Sequence, residues 1–224
     1  MPFKGYVLLL LSILLPFSAY AADKPQDPPA ATPVAPFLVP DVAADKTATQ
    51  RVTLPATLRQ APYDPSLPVV VIVDKSGHKT HLLQMQGKEI VDILTVPDAV
   101  GKPSTPTPTG RARITWKQLD PIWYPPASID PTRTPVPPYS KTHKNPLGVA
   151  ALGTSMGGIL LHGTNNPSSI GKSISHGCIR HQNDDIMKIY TKVVVGTPVY
   201  MVGKFAGASL LVSDFSVKAK GSTK

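Results

Sequence analysis

Residues 175–180, Ser-His-Gly-Cys-Ile-Arg, contain the only cysteine of the 224-residue chain, Cys178. The first residues of the chain resemble an export signal, and a single cysteine in an exported protein indicates an intermolecular bridge or a reactive thiol. Two histidines favour the reactive thiol, because His176 lies two residues before Cys178 and His162 lies 16 residues before it. A thiol attacks as its thiolate, and an imidazole can take its proton. We therefore interpret Cys178 as a catalytic nucleophile.

Glycines lie beside both candidate catalytic side chains. Gly163 follows His162 and Gly177 precedes Cys178, and each leaves room for the backbone of a substrate. Gly177 also permits a tight turn whose N–H groups point at one spot. Acyl transfer needs such donors for the developing oxyanion, so we expect the N–H groups of His176, Gly177 and Cys178 to supply them.

Arg180 follows the cysteine by two residues, and in an extended segment the two side chains share a face. Its planar guanidinium suits a carboxylate of a substrate. A salt bridge to Asp184 or Asp185 explains Arg180 equally well.

The same region contains residue types that bind zinc, namely His162, His176, Cys178 and His181. There is no second cysteine and no regularly spaced ligand pair, and the glycines and the arginine serve no metal. We expect neither a metal nor a cofactor.

The chain begins with the features of a secretory signal peptide. A lysine at position 4 precedes an apolar stretch over 7–15, and Ala-Tyr-Ala at 19–21 provides small residues for cleavage. Residues 1–21 are therefore predicted to be a signal peptide, and the protein is expected in the periplasm or cell envelope. The apolar stretch is too short for a comfortable membrane span of about 20 residues.

Composition divides the rest of the chain into three parts. Residues 22–66 are rich in proline and alanine and predict a flexible spacer, 67–203 predict one folded domain, and 204–224 predict a basic, polar tail. The 23 basic and 14 acidic side chains give a net charge of +9, which suits an anionic cell envelope. The scattered lysines and the export signal argue against nucleic-acid binding.

Short β-branched runs predict a mainly β domain with one helix. Runs at 69–73, 81–85 and 89–96 predict a β-meander, and 111–116 and 199–202 predict two further strands. Three- and four-residue apolar spacing predicts a helix that begins at Asn183 as N-cap and ends before Gly196.

The segment between the two halves of the domain, residues 97–146, is irregular and rich in proline. Such a long loop is either a functional lid or a surface excursion. As a lid it would offer the contact surface of Trp116, Trp123, Tyr124 and Tyr139.

The motifs together resemble the L,D-transpeptidase catalytic domain, the YkuD family. The resemblance rests on HGTNNP at 162–167, SSIG at 168–171 and SHGCIR at 175–180. It extends upstream to TPTG at 107–110 and downstream to GTPV at 196–199, and it covers roughly residues 68 to 203. It implies a mainly β fold, a curved β-sheet sandwich or barrel with one or two short helices.

The resemblance implies an acyltransferase that acts in peptidoglycan biosynthesis and thereby in cell wall organisation and cell shape. It also implies that carbapenems acylate the enzyme. Cys178 would attack the carbonyl between diaminopimelate and the terminal D-alanine of a stem peptide and release D-alanine. His162 would be the base, oriented by the backbone carbonyl of Gly163, and acylation would fall as its imidazole protonates in the range of roughly pH 5 to 8. Ser175, His176 and Gly177 would shape the site, and Arg180, Thr164 and Asn183 would bind substrate.

The acceptor is left open by the sequence. An amine of a neighbouring stem gives a 3–3 cross-link, a wall-anchored lipoprotein gives attachment, and water gives L,D-carboxypeptidase activity. A non-catalytic wall-binding module is a further alternative. The chain departs from the family pattern at His181, where an apolar residue is common, and it shows no peptidoglycan-binding repeat.

Overall fold

A computed structural model describes residues 49–216 of the chain. The predicted signal peptide lies outside this range, as do the spacer up to residue 48 and the tail from residue 217. The described residues form one α-helix and twelve strands. The helix is α1 (Asn183–Lys192), and the strands are β1 (Arg51–Thr53), β2 (Val70–Asp74), β3 (Lys79–Gln86), β4 (Glu89–Pro97), β5 (Val100–Gly101), β6 (Gly110–Leu119), β7 (Ala150–Thr154), β8 (Leu160–His162), β9 (Ser173–Ser175), β10 (Ile179–Arg180), β11 (Pro198–Val202) and β12 (Ser209–Leu211).

Eight strands form one curled sheet in the order β10-β8-β7-β6-β11-β2-β3-β4. Strands β2, β3 and β4 pair antiparallel in sequence order, which confirms the predicted meander. Strand β11 pairs parallel with β2 and antiparallel with β6, so the last strand of the sheet to be synthesised joins its two halves. The mainly β, curled architecture is the one that the sequence predicted.

The strand β2 is buried on both faces, which explains why its sequence is continuously apolar rather than alternating. Val71 and Val73 face the cluster that also contains Ile186 and Ile189 of α1. Its other face belongs to a second cluster of apolar side chains. The sheet is therefore covered on both sides, and α1 covers the side that also carries β7 and β8.

Paired strands lie outside the predicted domain boundaries at 67 and 203. Strand β1 lies within the predicted spacer and pairs with β12, which lies within the predicted tail. Leu54, Leu210 and Phe215 are buried in the second cluster. These apolar residues bury the second face of β2 and β3, although prolines and polar residues surround them in the sequence.

A buried carboxylate fastens the C-terminal segment to the sheet. Asp214 is 1% exposed, and Arg111 of β6 donates to both of its oxygens, through Nε to Oδ2 at 2.7 Å and through a terminal nitrogen to Oδ1. The hydroxyl of Tyr200 donates to Oδ2 at 2.5 Å. A short 3₁₀ turn, Val212–Ser216, is thereby tied to β6 and β11.

We expect Asp214→Ala to lower the free energy of unfolding by about 2 to 4 kcal/mol, because it removes the charged hydrogen bonds to Arg111 and leaves the buried hydroxyl of Tyr200 without its acceptor. Urea denaturation of the full chain and of the variant measures this difference. Glu89→Ala is the control, since its ion pair with Arg59 is exposed and should contribute less than about 1 kcal/mol. Equal effects of the two changes would contradict the assignment.

Candidate active site

Cys178 follows a tight turn that ends where β10 begins. The glycine before it, Gly177, has a φ of 114°, a conformation that side-chain-bearing residues rarely adopt. The Ser175 hydroxyl accepts from the Gly177 N–H at 3.1 Å and donates to the Cys178 carbonyl at 2.6 Å. The predicted turn is thus present, and Ser175 holds it together from within.

Strand pairing brings His162 beside this turn. Strands β8 and β10 are parallel neighbours, with Ile179 opposite Leu161 and Arg180 opposite His162. His162 and Cys178, far apart in sequence, therefore line the same cavity, whose volume is about 560 Å³.

The tautomer of His162 follows from its hydrogen bond. Its Nδ1 lies 2.6 Å from the carbonyl oxygen of Gly163, and only a protonated nitrogen can donate to a carbonyl. The remaining lone pair is on Nε2. The structure thus contains the contact with Gly163 that the resemblance implied.

Burial sets the resting protonation of both groups. It lowers the pKa of His162 to about 4, an effect that the charge of Arg180 reinforces and the carbonyls of Gly163 and Pro146 oppose. Burial also raises the pKa of the Cys178 thiol, against the N–H of Leu160 and the charge of Arg180. At neutral pH the site therefore holds a neutral thiol and a neutral imidazole, and the thiol donates to the Gly158 carbonyl at 3.3 Å.

Of the three N–H groups expected to meet an oxyanion, one is occupied. The Gly177 N–H is bonded to Ser175, whereas the N–H groups of His176 and Cys178 have no hydrogen-bond partner among residues 49–216. This corrects the expectation that all three are available. Two neighbouring donors remain beside the thiol.

Asn183 and Thr164 support the site instead of lining it. The amide oxygen of Asn183 accepts from the N–H groups of Thr164 at 3.0 Å and Val149 at 3.4 Å, and a Cβ atom on Gly163 would overlap it. Asn183 is the first residue of α1, and the N-cap position is held by Gln182, which makes no side-chain capping hydrogen bond. Gly163 therefore makes room for the side chain of Asn183. Neither Asn183 nor Thr164 lies in the cavity wall, whereas the sequence predicted that both bind substrate and that Asn183 is the N-cap.

Arg180 faces the cavity beside Cys178. Within residues 49–216 its guanidinium forms no salt bridge, and Asp185 pairs instead with Lys188 at 2.8 Å. The salt-bridge explanation of Arg180 is not supported in the described part of the chain.

The proline-rich segment supplies one wall of the cavity. Trp116, Trp123 and Tyr124 line it, and Gly153 of the neighbouring strand leaves the space that the Trp116 indole occupies. Tyr139 is not part of this lining; its ring lies 5.9 Å from the Lys144 ammonium. Three of the four aromatic residues that the sequence offered as contact surface thus line the cavity.

His176 and His181 occupy different environments. The His176 ring is exposed, and its Nε2 lies 3.4 Å from the Lys102 ammonium. His181 is fully buried on the core side, where its Nε2 bonds to Thr80 at 2.9 Å.

Among residues 49–216, no group of three or more acidic, histidine or cysteine side chains is arranged to hold a metal ion. No helix in the same range is long and apolar enough to cross a membrane.

Sequence reasoning missed the groups that contact the thiol directly. These are the carbonyl of Gly158 and the N–H of Leu160, and both belong to the backbone. Backbone contacts do not depend on the side chain at the position, so only the pairing of β8 with β10 identifies them.

Comparison with known proteins gives consistent results. The L,D-transpeptidase catalytic domain family, YkuD, matches residues 68–201. The protein named L,D-transpeptidase YkuD of Bacillus subtilis (strain 168) is 32% identical over 160 residues, which are 71% of this chain and 79% of that protein. Its namesake in Bacillus licheniformis is 36% identical over 107 residues, 48% of this chain and 52% of that one, so the chain spans about half of that relative. A solved L,D-transpeptidase from Mycobacterium smegmatis is 24% identical, with a TM-score of 0.46, over 61% of this chain and 59% of its own.

We expect Cys178 to be alkylated slowly near neutral pH, because its thiol is protonated and its pKa lies above the ordinary range. The rate with iodoacetamide should rise with pH up to and beyond about 8.5, the pKa of an ordinary thiol. Mass spectrometry of the protein between about pH 5 and 10 measures the rate. His162→Gln should keep the same profile. A plateau at roughly pH 5 to 7 that disappears in His162→Gln would show a resting thiolate–imidazolium pair instead.

Proposed function

The chain belongs to the YkuD family of L,D-transpeptidase catalytic domains, and we propose that it is a cysteine-dependent L,D-transpeptidase. Enzymes of this family act on peptidoglycan peptides. The observation that carries the proposal is the pairing of β8 with β10, which puts Cys178 and a buried His162 of defined tautomer in one cavity.

The first half of the reaction forms an acyl-enzyme. Nε2 of His162 takes the thiol proton while Sγ of Cys178 attacks the carbonyl carbon between diaminopimelate and the terminal D-alanine. The N–H groups of His176 and Cys178 donate to the oxyanion of the tetrahedral intermediate. When that intermediate collapses, the C–N bond breaks, His162 returns the proton to the leaving amine, and D-alanine departs. A thioester on Cys178 remains.

The second half transfers the acyl group to an amine. The amine attacks the thioester carbon and His162 accepts its proton. When the tetrahedral intermediate collapses, the C–S bond breaks and His162 passes that proton to the departing sulfur, which restores the thiol of Cys178 and the neutral imidazole. A diaminopimelate side chain as acceptor gives a 3–3 cross-link, and an amine of a wall-anchored lipoprotein gives attachment. Attack by water gives L,D-carboxypeptidase activity with the same residues.

Arg180 has the properties of a substrate-carboxylate anchor. It lies in the cavity wall next to the nucleophile and, within the described residues, has no acidic partner. A stem peptide brings carboxylates close to the bond that is cleaved, and a guanidinium binds them in a bidentate manner. The same charge stabilises the thiolate during attack.

A non-catalytic wall-binding module is the alternative from another class. It requires the fold and the cavity but no defined tautomer at His162 and no free N–H groups beside the thiol. Those features support the enzyme. The proposed location, periplasm or cell envelope, rests on the signal peptide predicted for residues 1–21.

Intact-mass measurement tests the nucleophile. The protein and its Cys178→Ser variant are incubated with a tetrapeptide-stem muropeptide and, in parallel, with a carbapenem. We expect an adduct on the wild type alone, together with released D-alanine; a muropeptide dimer, a trimmed tripeptide or a lipoprotein conjugate then identifies the acceptor. Binding of the muropeptide by folded, reduced wild type without any adduct would favour the binding module.

The pH dependence of acylation tests the base. His162 acts as a base only when neutral, so the rate is retained above its pKa of about 4 and is lost as the pH falls through that value. We therefore expect the acylation rate to stay constant between about pH 5 and 7. The rate should fall only at a lower pH than it would with an ordinary histidine as the base. Stopped-flow carbapenem acylation, with circular dichroism to exclude unfolding, measures this. A midpoint near 6.5, the ordinary histidine pKa, would contradict the assigned burial effect.

A further inference from the structure

The loop that follows β5 packs under the turn that carries Cys178. It contains the sequence Thr-Pro-Thr-Pro at 105–108. We propose that Thr107 is a positioning residue that fixes the direction of the oxyanion donors. This inference rests on the proposed function and assigns to the site a residue that touches neither the thiol nor the cavity.

Thr107 makes two hydrogen bonds with its hydroxyl, although the residue is only 2% exposed. Its Oγ1 accepts from the Gly101 N–H at 2.9 Å and donates to the Gly177 carbonyl at 2.7 Å. Because a carbonyl oxygen can only accept, the hydroxyl proton is directed to Gly177. The contact is thus defined in direction as well as in distance.

The Gly177 carbonyl and the Cys178 N–H belong to one peptide group. In a planar trans peptide the C=O and N–H bonds point in opposite directions. Holding the carbonyl toward Thr107 therefore turns the Cys178 N–H away from the loop. Cys178 lines the cavity and Thr107 does not, so the N–H is directed from the loop side toward the cavity side.

The second free donor is held in the same way. The Ser175 carbonyl shares a peptide group with the His176 N–H, and it accepts from the Lys102 N–H at 3.0 Å and from Thr105 Oγ1 at 3.2 Å. Both carbonyls thus face the loop, and both N–H groups face away from it. The donors are aligned before substrate arrives, which is the condition for effective oxyanion stabilisation.

The loop itself is rigid enough to hold them. A proline follows each of the two threonines, and a residue before proline is restricted to extended conformations. The loop backbone lies so close to Gly101 that a Cβ atom there would overlap it. On the other side, the Lys75 ammonium donates to the Thr107 carbonyl at 3.0 Å and to Thr109 Oγ1 at 2.6 Å.

Two reactions of the same thiol separate this role from general packing. Carbapenem acylation passes through a tetrahedral oxyanion, whereas alkylation by iodoacetamide forms none. Thr107→Val keeps the shape of the side chain and removes the hydroxyl, and Thr107→Ser keeps the hydroxyl. Thr197→Val is the matched control, because Thr197 is a buried threonine that also bonds to a backbone N–H, that of Val194 at 3.0 Å.

We expect Thr107→Val to slow acylation by about 10- to 100-fold, less than or comparable to the loss of one oxyanion donor, with alkylation changed less than about threefold. Thr107→Ser should restore acylation, and Thr197→Val should leave both rates unchanged. Melting temperatures check folding, and Thr107→Ala replaces the valine variant if that variant does not fold.

Two results would overturn the inference alone: wild-type acylation in Thr107→Val, or a parallel loss of both reactions that serine does not restore. A wild type that is alkylated but never acylated would overturn the proposed function and this inference with it.

Discussion

The parallel pairing of β8 with β10 is the contact on which the site depends. It places Arg180 opposite His162, and the His181 N–H donates to the His162 carbonyl at 2.8 Å. The two residues of β10 fix the position of the cysteine turn along β8, and so relative to the His162 imidazole, because the turn ends directly where β10 begins. The thiol is therefore positioned by a sheet edge rather than by a helix N-terminus, and α1 begins too late in the chain to contribute its dipole.

This placement has an electrostatic consequence. Burial disfavours charge on both partners: it lowers the pKa of His162 and raises that of Cys178. A helix-borne thiolate would rest in the charged state, whereas in the reaction proposed for this site charge separation arises only during attack. In that proposed reaction, transfer of the proton to His162 coincides with the appearance of the oxyanion, which the N–H groups of His176 and Cys178 would meet. The free thiol thus remains less reactive toward oxidants and alkylating agents until a carbonyl is bound.

The sequence predicted the features that repeat or that involve side chains acting on their own. The meander and the amphipathic helix follow from periodicity, Cys178 as candidate nucleophile and Arg180 follow from residue type and spacing, and the choice of His162 as the base follows from the family resemblance. It did not predict Asn183 as the brace of the Gly163 turn or Thr107 as the partner of Gly177. Both act through side chain–backbone hydrogen bonds between distant segments, and nothing in the local sequence specifies such partners. The same reason accounts for β1 and β12, whose pairing depends on an apolar face formed elsewhere.

His181, whose role the sequence left open, makes its hydrogen bond on the core side of β10. Thr80 donates its hydroxyl proton to Asp98 at 2.7 Å and must therefore accept from Nε2–H of His181 at 2.9 Å. Nε2 of His181 therefore carries a proton. Burial lowers the pKa of His181 to about 3, so the imidazole is neutral at neutral pH. A polar chain thus ties the core side of β10 to β3, while Ser175 and Thr107 hold the turn that precedes β10. A strand of only two residues can position the Cys178 thiol because both of its edges are paired: β8 lies on one edge, and on the other Arg180 and Ala99 exchange two N–H···O bonds at 2.8 and 2.9 Å.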